Sequence, residues 1–456
     1  METAVQNIWS RSKLLIKSGI IGIIILILQI PTYYVTELIK EREGRQKEAI
    51  AEVSSKWAGK QNIIGPVLVI PYWVTMTDTS ISNNKAKHLA YFLPDSLTID
   101  ANVSPQEKYR GIYKVMLYTA GLKMAGSFAP IQPQKLGIAP EDMIWNEAYI
   151  RMNTTDNRGL NDEVNLKIAD SILSLSPYGI DGDKDGLKAA FPSLAEKFNQ
   201  PLPFSTAFSI NGSEQLLFTP SGRSTTVNLA SGWPHPSFTG NSLPQTTKIN
   251  DTGFVATWKS AAFKQSFPQQ WKDDAYNLHT YFTAGAISND DYNLHTKSTA
   301  HSISSAAFGA ELFVPVSGYQ KTLRSVKYSF LCLLLTFAAF FLIETTNKKS
   351  AHPFHYGLIG LALILFYTLL LSVSEYIGFN PAYVIASACT IGLIGWFVKD
   401  ILTSGKLAVL LSTILVLLYG YVFTILQLQD YSLLLGSFGL FITLAVIMRF
   451  SKKIQW

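Results

Sequence analysis

Apolar positions fall along the chain in three textures. The first is a single apolar run from about Leu14 to Tyr34, centred on Ile20-Ile21-Gly22-Ile23-Ile24-Ile25-Leu26-Ile27-Leu28 and preceded by Arg11, Lys13 and Lys17. It is long enough to cross a bilayer as a helix. Gln29-Ile30-Pro31-Thr32-Tyr33-Tyr34 follows, where a cleaved signal would carry a small-x-small site, so the run reads as an uncleaved anchor with tyrosines at the interface. The last texture begins after residue 325, where apolar stretches alternate with short polar breaks at the spacing of spanning helices. Five spans are expected: Lys327–Ile343, Phe354–Val373, Phe379–Val398, Lys406–Leu426 and Tyr431–Met448.

The middle texture is different. It opens with a charged stretch in which Glu41/Arg45 and Glu43/Lys47 are spaced i,i+4 with the acid first, the order that favours a solvated helix prolonging the first span. From Ile63 onward, short β-branched and aromatic runs are punctuated by Gly, Pro, Asn and Asp, which predicts strands. Expected strands are Pro66–Thr77, His88–Phe92, Ser96–Val103, Arg110–Tyr118, Val164–Leu175, Ser205–Ile210, Gln215–Phe218, Thr225–Leu229, Phe254–Lys259, Thr280–Ala286 and Glu311–Val316. About a dozen strands over about 260 residues suits one large or two smaller sandwich-like units. Long amphipathic helical patterns rarely intervene, which argues against parallel α/β winding.

Composition agrees with spans. Of 456 residues 48% are hydrophobic and only 15% charged, poor in charge for a soluble protein. The formal charge of +6 comes from scattered basic residues, with doublets only at Lys348-Lys349 and Lys452-Lys453 beside apolar runs. These read as topology signals, and no nucleic-acid partner is expected. With the N-terminus inside, Lys348, Lys349, Lys399, Lys406, Arg449, Lys452 and Lys453 all fall inside, while the short outside loops carry Glu375 and Asp430. Residues from about 35 to 323 then lie outside the cytoplasm. Cys332 and Cys389 both sit in apolar runs, so the outside region relies on core size rather than disulfides.

Candidate chemistry is sparse. G-x-S-x-G, H-E-x-x-H and G-x-x-x-x-G-K-[ST] are all absent. Asp181-Gly182-Asp183-Lys184-Asp185-Gly186 begins like an EF-hand loop, but Pro192 occupies the twelfth position where a bidentate Glu belongs, so a solvated turn is favoured. Tyr276-Asn277-Leu278-His279-Thr280 recurs at Tyr292–Thr296, a local duplication too short for a solenoid. His352 and His355 could share a helical face as ligands, yet zinc needs more donors, and Pro353 marks a helix start. His235, between Pro234 and Pro236, reads as a structural corner without a nucleophile nearby in sequence. Lys17, Glu344 and Glu375 map near helix ends, leaving Thr368, Ser372, Ser387 and Thr390 as the polar residues available to line a transport path.

Several stretches together resemble the CreD family. In the outside region these are Ile64-Gly65-Pro66 with Ile70-Pro71, Leu93-Pro94 with Leu97, Gly111-Ile112-Tyr113, Trp233-Pro234-His235-Pro236-Ser237-Phe238, and Gly253-Phe254 with Trp258. In the membrane half they are Phe340-Phe341 with Glu344-Thr345, His352-Pro353, Tyr356, Phe366-Tyr367, Leu369-Leu370-Leu371, and Ser374-Glu375 with Gly378-Phe379. The likeness is weakest over Ser176–Gln200 and Phe263–Ser302, which hold the calcium-like loop and the repeat. The resemblance implies a bacterial inner-membrane protein associated with envelope integrity, expressed under a two-component system and linked to tolerance of β-lactams and colicins. It implies no enzymatic reaction, cofactor, metal or catalytic residue. Gly65, Pro66, Pro71, Trp233, Pro234, His235, Pro236, Phe238, Gly253, Trp258, Glu344, His352, Pro353, Glu375 and Gly378 are its candidate family-critical positions.

The expected fold is a polytopic α-helical membrane protein with six spans, one plus five, and a large mainly-β periplasmic domain, sandwich-like. The expected segments are a cytoplasmic tail (1–13), the first span (14–34), a charged juxtamembrane helix (35–56), the periplasmic β-rich domain (57–323), five spans (324–448) and a cytoplasmic tail (449–456). Expected partners are the lipid bilayer and periplasmic or envelope proteins, lipids or peptidoglycan. The rival reading is a transporter or lipid-handling protein using the C-terminal helices.

Overall fold

The isoleucine-rich run and the charged stretch after it form one helix, α1 (Ile16–Trp57). Pro31 has no N–H to offer and breaks the backbone ladder within the apolar part. Neighbouring polar side chains bond back to the same stretch: Thr32 Oγ1 donates to Leu28 O at 2.9 Å and Gln29 Nε2 to Ile25 O at 3.2 Å. The Arg45–Glu41 and Lys47–Glu43 pairs form as the i,i+4 spacing predicts. This computed structural model describes residues 16–75, 85–178, 186–278, 301–312, 318–347, 349–428, 434–439, 441, 445 and 448. The chain divides into two compact units, one combining Met1–Glu48 with Val316–Trp456 and the other formed by Ala49–Pro315.

In the helical unit, α2 (Gly318–Lys327) is followed by α3 (Ser329–Thr346), α4 (Pro353–Ile377), α5 (Phe379–Leu402) and α6 (Gly405–Gln427). Helices α1 and α3 to α6 are long and apolar enough to cross a membrane. Within the expected span Tyr431–Met448, residues 434–439, 441, 445 and 448 are helical and the others lie outside the described residues. Helix α2 was not expected, because it is amphipathic rather than uniformly apolar; it buries Tyr319, Thr322, Ser325 and Val326. Residues 318–323, expected in the β-rich domain, group with the helices. Aromatic side chains fill the seam of α4, α5 and α6: Phe366 lies 4.6 Å from Tyr419 and 5.3 Å from Tyr383, ring centre to ring centre. Leu361, Leu365 and Leu369 form an exposed stripe on α4, the lipid-facing side of a helix that is apolar all round.

The β unit is built on two layers. The first contains β1 (Gln61–Thr75), β2 (Lys85–Phe92), β5 (Tyr149–Thr154), β8 (Gly186–Ala190), β10 (Gln215–Phe218), β12 (Pro236–Gly240), β15 (Gln270–Lys272) and β18 (Phe308–Leu312). The second contains β3 (Ser96–Arg110), β4 (Tyr113–Phe128), β6 (Val164–Ile168), β9 (Leu202–Ser213), β11 (Ser224–Ser231), β13 (Thr246–Asn250) and β14 (Gly253–Ala261). Strand β7 (Ser171–Tyr178) joins them, pairing with β6 through Ser171–Leu175 and with β8 through Ser176–Tyr178. The short strands β16 (Tyr276–Asn277) and β17 (His301–Ser302) pair separately. Hydrogen bonding runs β12-β18-β10-β1-β5-β8-β7-β6-β9-β4-β3-β11-β14-β13, with β2 added to β1 and β15 to β2. Within this large sheet pairing is antiparallel except between β1 and β10 and between β3 and β11, and the separate β16–β17 pair is parallel.

One core joins the layers, with Leu68, Ile70, Ile150 and Met152 from the first and Ile99, Leu122, Phe204 and Trp258 from the second. This is the sandwich-like arrangement expected. Strand β3 alternates exposed and buried residues from Ser96 to Val103, as a strand with one wet face must. Strand β1 is buried on both faces, because Ile64, Val67 and Val69 pack into a second cluster with Tyr91, Phe267, Trp271 and Ile303.

Several strand boundaries differ from expectation. Val164–Leu175 is two strands, since Ala169 takes a positive φ of 48° and turns the chain into a β6–β7 hairpin. Arg110 ends β3, and Gly111, with φ 61°, turns the chain into β4. Strands β5, β8, β12 and β15 have no consecutive β-branched residues and, like β13, lie outside the expected strands. Thr280–Ala286, residues 181–185 of the calcium-like turn and the second repeat copy lie outside the described residues.

Candidate functional site

The Trp-Pro-His-Pro-Ser-Phe stretch is a corner leading into β12. Trp233 N donates to Ser231 Oγ at 3.2 Å and its indole Nε1 donates to His235 O at 3.0 Å, closing the turn that Pro234 and Pro236 stiffen. The His235 side chain is exposed and meets the Trp233 ring edge-on. Phe238 turns inward, with its ring edge-on to Trp258 at 5.6 Å and to Phe254 at 5.7 Å. Gly253 closes the β13–β14 hairpin beside this cluster, with φ +142°, and a Cβ there would stand 2.1 Å from Ser231 O. The obstacle is backbone, which cannot swing away. Gly253→Ala is therefore expected to destabilise the β unit by about 1–3 kcal/mol. Gly121→Ala, which meets nothing within 4 Å, serves as the control. Equal melting temperatures for the two full-length variants in detergent would refute the steric account.

Gly65 and Pro66 mark a register shift in β1 between Ile64 and Val67. The bulge places those two residues in the same cluster although they are three apart. Gly65 has φ +107°, and a Cβ would lie 3.0 Å from Arg151 O. Pro71 O accepts from Ile144 N at 2.8 Å, tying β1 to the connection before β5. Beside it lies a group not foreseen in the sequence. Asp273 Oδ1 meets His88 Nδ1 at 2.9 Å and accepts from Leu89 N at 3.2 Å, while its Oδ2 accepts from the Tyr72 hydroxyl at 3.2 Å. Burial, reinforced by the Asp273 charge, pushes the Tyr72 hydroxyl up to about 12, so it stays a proton donor. No Ser, Thr or Cys side chain hydrogen-bonds His88 among the described residues. The group fastens β1 and β2 to the turn after β15.

Among the described residues the most deeply buried charge lies in the helical unit. Glu344, at the end of α3, is 4% exposed. It pairs with Lys17 of α1, accepts from the Tyr356 hydroxyl at 2.7 Å and accepts from Ala351 N at 2.8 Å. Lys17 Nζ also donates to Ala351 O at 2.7 Å. Both carboxylate oxygens are thus engaged, and Phe337 and Phe340 pack on the Tyr356 ring. The sequence placed Glu344 near a helix end able to reach the interface; the structure keeps it there but buried and paired. His352 caps α4, its Nδ1 accepting from Phe354 N at 3.2 Å, with Pro353 at the first helical position. His355 instead packs edge-on to Phe397 of α5. At the other end of α4, Glu375 accepts from the Tyr319 hydroxyl at 2.9 Å and lies 3.9 Å from Arg42 Nε. Gly378, φ +81°, separates α4 from α5.

The two charged clusters thus clamp opposite ends of α4, each joining it to α1. Among the described residues no group of three His, Cys, Asp or Glu side chains is placed to hold a metal ion. The inner membrane protein CreD of Escherichia coli (strain K12) is 29% identical over 437 residues, which cover 95% of this chain and 91% of that protein. Residues 13–456 match the family described as inner membrane protein CreD, so the aromatic corner and the clamped helices arise within almost the whole of one family unit, and the chain belongs to the CreD family.

Proposed function

We propose that this inner-membrane protein maintains cell-envelope integrity without catalysing a reaction, is expressed under a two-component system, and alters tolerance to envelope-directed agents. Both termini are cytoplasmic in this reading and the β unit is periplasmic. The observation that carries it is a concavity on the outer face of the second sheet, where Asp100, Asn102, Lys123, Asp162, Ser209 and Asn228 stand among apolar neighbours such as Phe208 and Val255. Asn228 Nδ2 donates to Asp100 Oδ1 at 2.8 Å and Thr257 Oγ1 to Asn228 Oδ1 at 3.0 Å, so part of the face is pre-ordered. A sheet face rich in paired donors and acceptors suits hydrogen-bonding envelope polymers or periplasmic proteins. The aromatic seam of α4, α5 and α6 favours an anchor over a conduit: Ser372 is exposed and Ser387 Oγ donates to Val384 O of its own helix.

The test is complementation of a deletion strain, scored by survival with β-lactam or detergent. Wild type is expected to restore tolerance, whereas a normally folded Asp100→Ala/Asn102→Ala/Asn228→Ala variant is not. Full complementation by that variant defeats the sheet-face reading, and a deletion with no change in survival defeats the envelope role.

A further inference from the structure

Helix α1 carries an unusual stripe where its apolar run ends. Gln29, Thr32, Tyr33, Thr36 and Lys40 follow i, i+3, i+4, i+7, i+11 spacing and so share one face. On α2, Gln320, Leu323, Arg324 and Lys327 do the same, and Ser329 and Phe330 continue at the start of α3. The two stripes face each other across an open groove of about 620 Å³. Tyr33 and Tyr34 are exposed beside it, as residues at a bilayer interface are. The groove therefore sits at headgroup depth by the chain's own hydropathy.

Its charge is one-sided. Lys40, Arg324 and Lys327 line it, and no carboxylate does. Lys40 is shared with Glu37 at 2.8 Å. Arg324 and Lys327 are exposed and have no ion-pair partner among the described residues. Their place in the last turn of α2 favours the helix dipole, but that effect accounts for neither the facing Lys40 nor the cleft. Half of the Phe330 side chain is open, and Leu323 and Val326 line the same groove. Cations beside an apolar, laterally open wall fit a phosphate that carries acyl chains.

We propose that this groove binds the headgroup phosphate of an anionic phospholipid, with Arg324 and Lys327 as its main ligands, Lys40 assisting, and Phe330 and Leu323 against the glycerol and upper acyl carbons. The proposal does not depend on the envelope-integrity reading. Full-length protein in detergent, washed free of lipid, is offered phosphatidylglycerol or phosphatidylcholine, and bound lipid is counted by native mass spectrometry. Phosphatidylglycerol is expected to be retained and phosphatidylcholine not. Arg324→Gln/Lys327→Gln should lower retention by about tenfold or more, while Arg324→Lys and an Arg45→Gln/Lys47→Gln control retain it. Both cations in the double variant are exposed, so its melting temperature should match wild type. Equal retention of the two lipids, or full retention by the double variant, overturns the proposal. Displacement by millimolar glycerol phosphate overturns it too, since that would make the site one for a soluble phosphate.

Discussion

Glu344→Ala should cost the helical unit about 3–5 kcal/mol, the range for removing one partner of a buried ion pair. The carboxylate is the common acceptor for Lys17, Tyr356 and Ala351 N. Alanine leaves an ammonium, a hydroxyl and a backbone N–H short of an acceptor at once, in a region where apolar side chains exclude water. Lys17 is not wholly buried, with 17% of its side chain exposed, so partial escape toward water places the loss toward the low end of that range. Glu344→Gln keeps one oxygen for Tyr356 or Ala351 and should cost less than alanine. Pairing Glu344→Ala with Lys17→Met should recover part of the loss, because the second change removes the stranded cation. Thermal unfolding in detergent of wild type, Glu344→Ala, Lys17→Met and the double variant gives the coupling directly. Strict additivity, or a Glu344→Ala protein that melts with wild type, sinks the claim that the pair is a single unit.

That pair shows what the sequence disclosed and what it hid. The spans were legible because hydropathy is local: each apolar run states its own length, and α3 to α6 lie close to the expected ranges. The strand texture was legible wherever one face is wet, as in β3, where alternation writes the burial pattern into neighbouring residues. Strand β5, Tyr-Ile-Arg-Met-Asn-Thr, lies between β1 and β8 and is largely buried on both faces, so it has no alternation to read. Helix α2 was missed for the opposite reason: its polar face masks its apolar one in any hydropathy average.

The charged clusters needed three-dimensional information. Lys17 and Glu344 are separated by 327 positions, and nothing local joins them. A signal did exist: Lys17 and Glu344 are opposite charges at the ends of apolar runs expected to face the same side of the membrane, and opposite charges at equal depth are natural partners. The Asp273 group offered less, because Tyr72 and His88 become neighbours only through β1–β2 register, and Asp273 arrives from a turn with φ +51°. His235, the histidine that the sequence made conspicuous by its two prolines, proves exposed at a corner whose energetic weight lies in Phe238 and the residue behind it.

That residue is Trp258, and its removal should produce the largest single loss in the β unit. It is fully buried in the core shared by the two layers. Its ring stacks on Phe308 at 5.8 Å and 19°, Phe238 meets it edge-on, and its Nε1 donates to Ser242 O at 3.1 Å. Phe308 and Phe238 come from the first layer and Trp258 from the second, so the indole is a bolt between sheets rather than a contact within one. Trp258→Ala removes that area and leaves a cavity walled by strands whose hydrogen-bonded registers resist collapse, at a cost of about 3–5 kcal/mol. For a unit of this size the melting temperature should fall by on the order of 10 °C. Trp258→Phe keeps an aromatic ring between the sheets and forfeits the bond to Ser242, so it should fall between alanine and wild type. His235→Ala, on the exposed side of the same corner, should change melting by far less. A Trp258→Ala protein melting within a degree or two of wild type, or a His235→Ala protein that unfolds as early, would relocate the weight of this corner from the buried indole to the exposed turn.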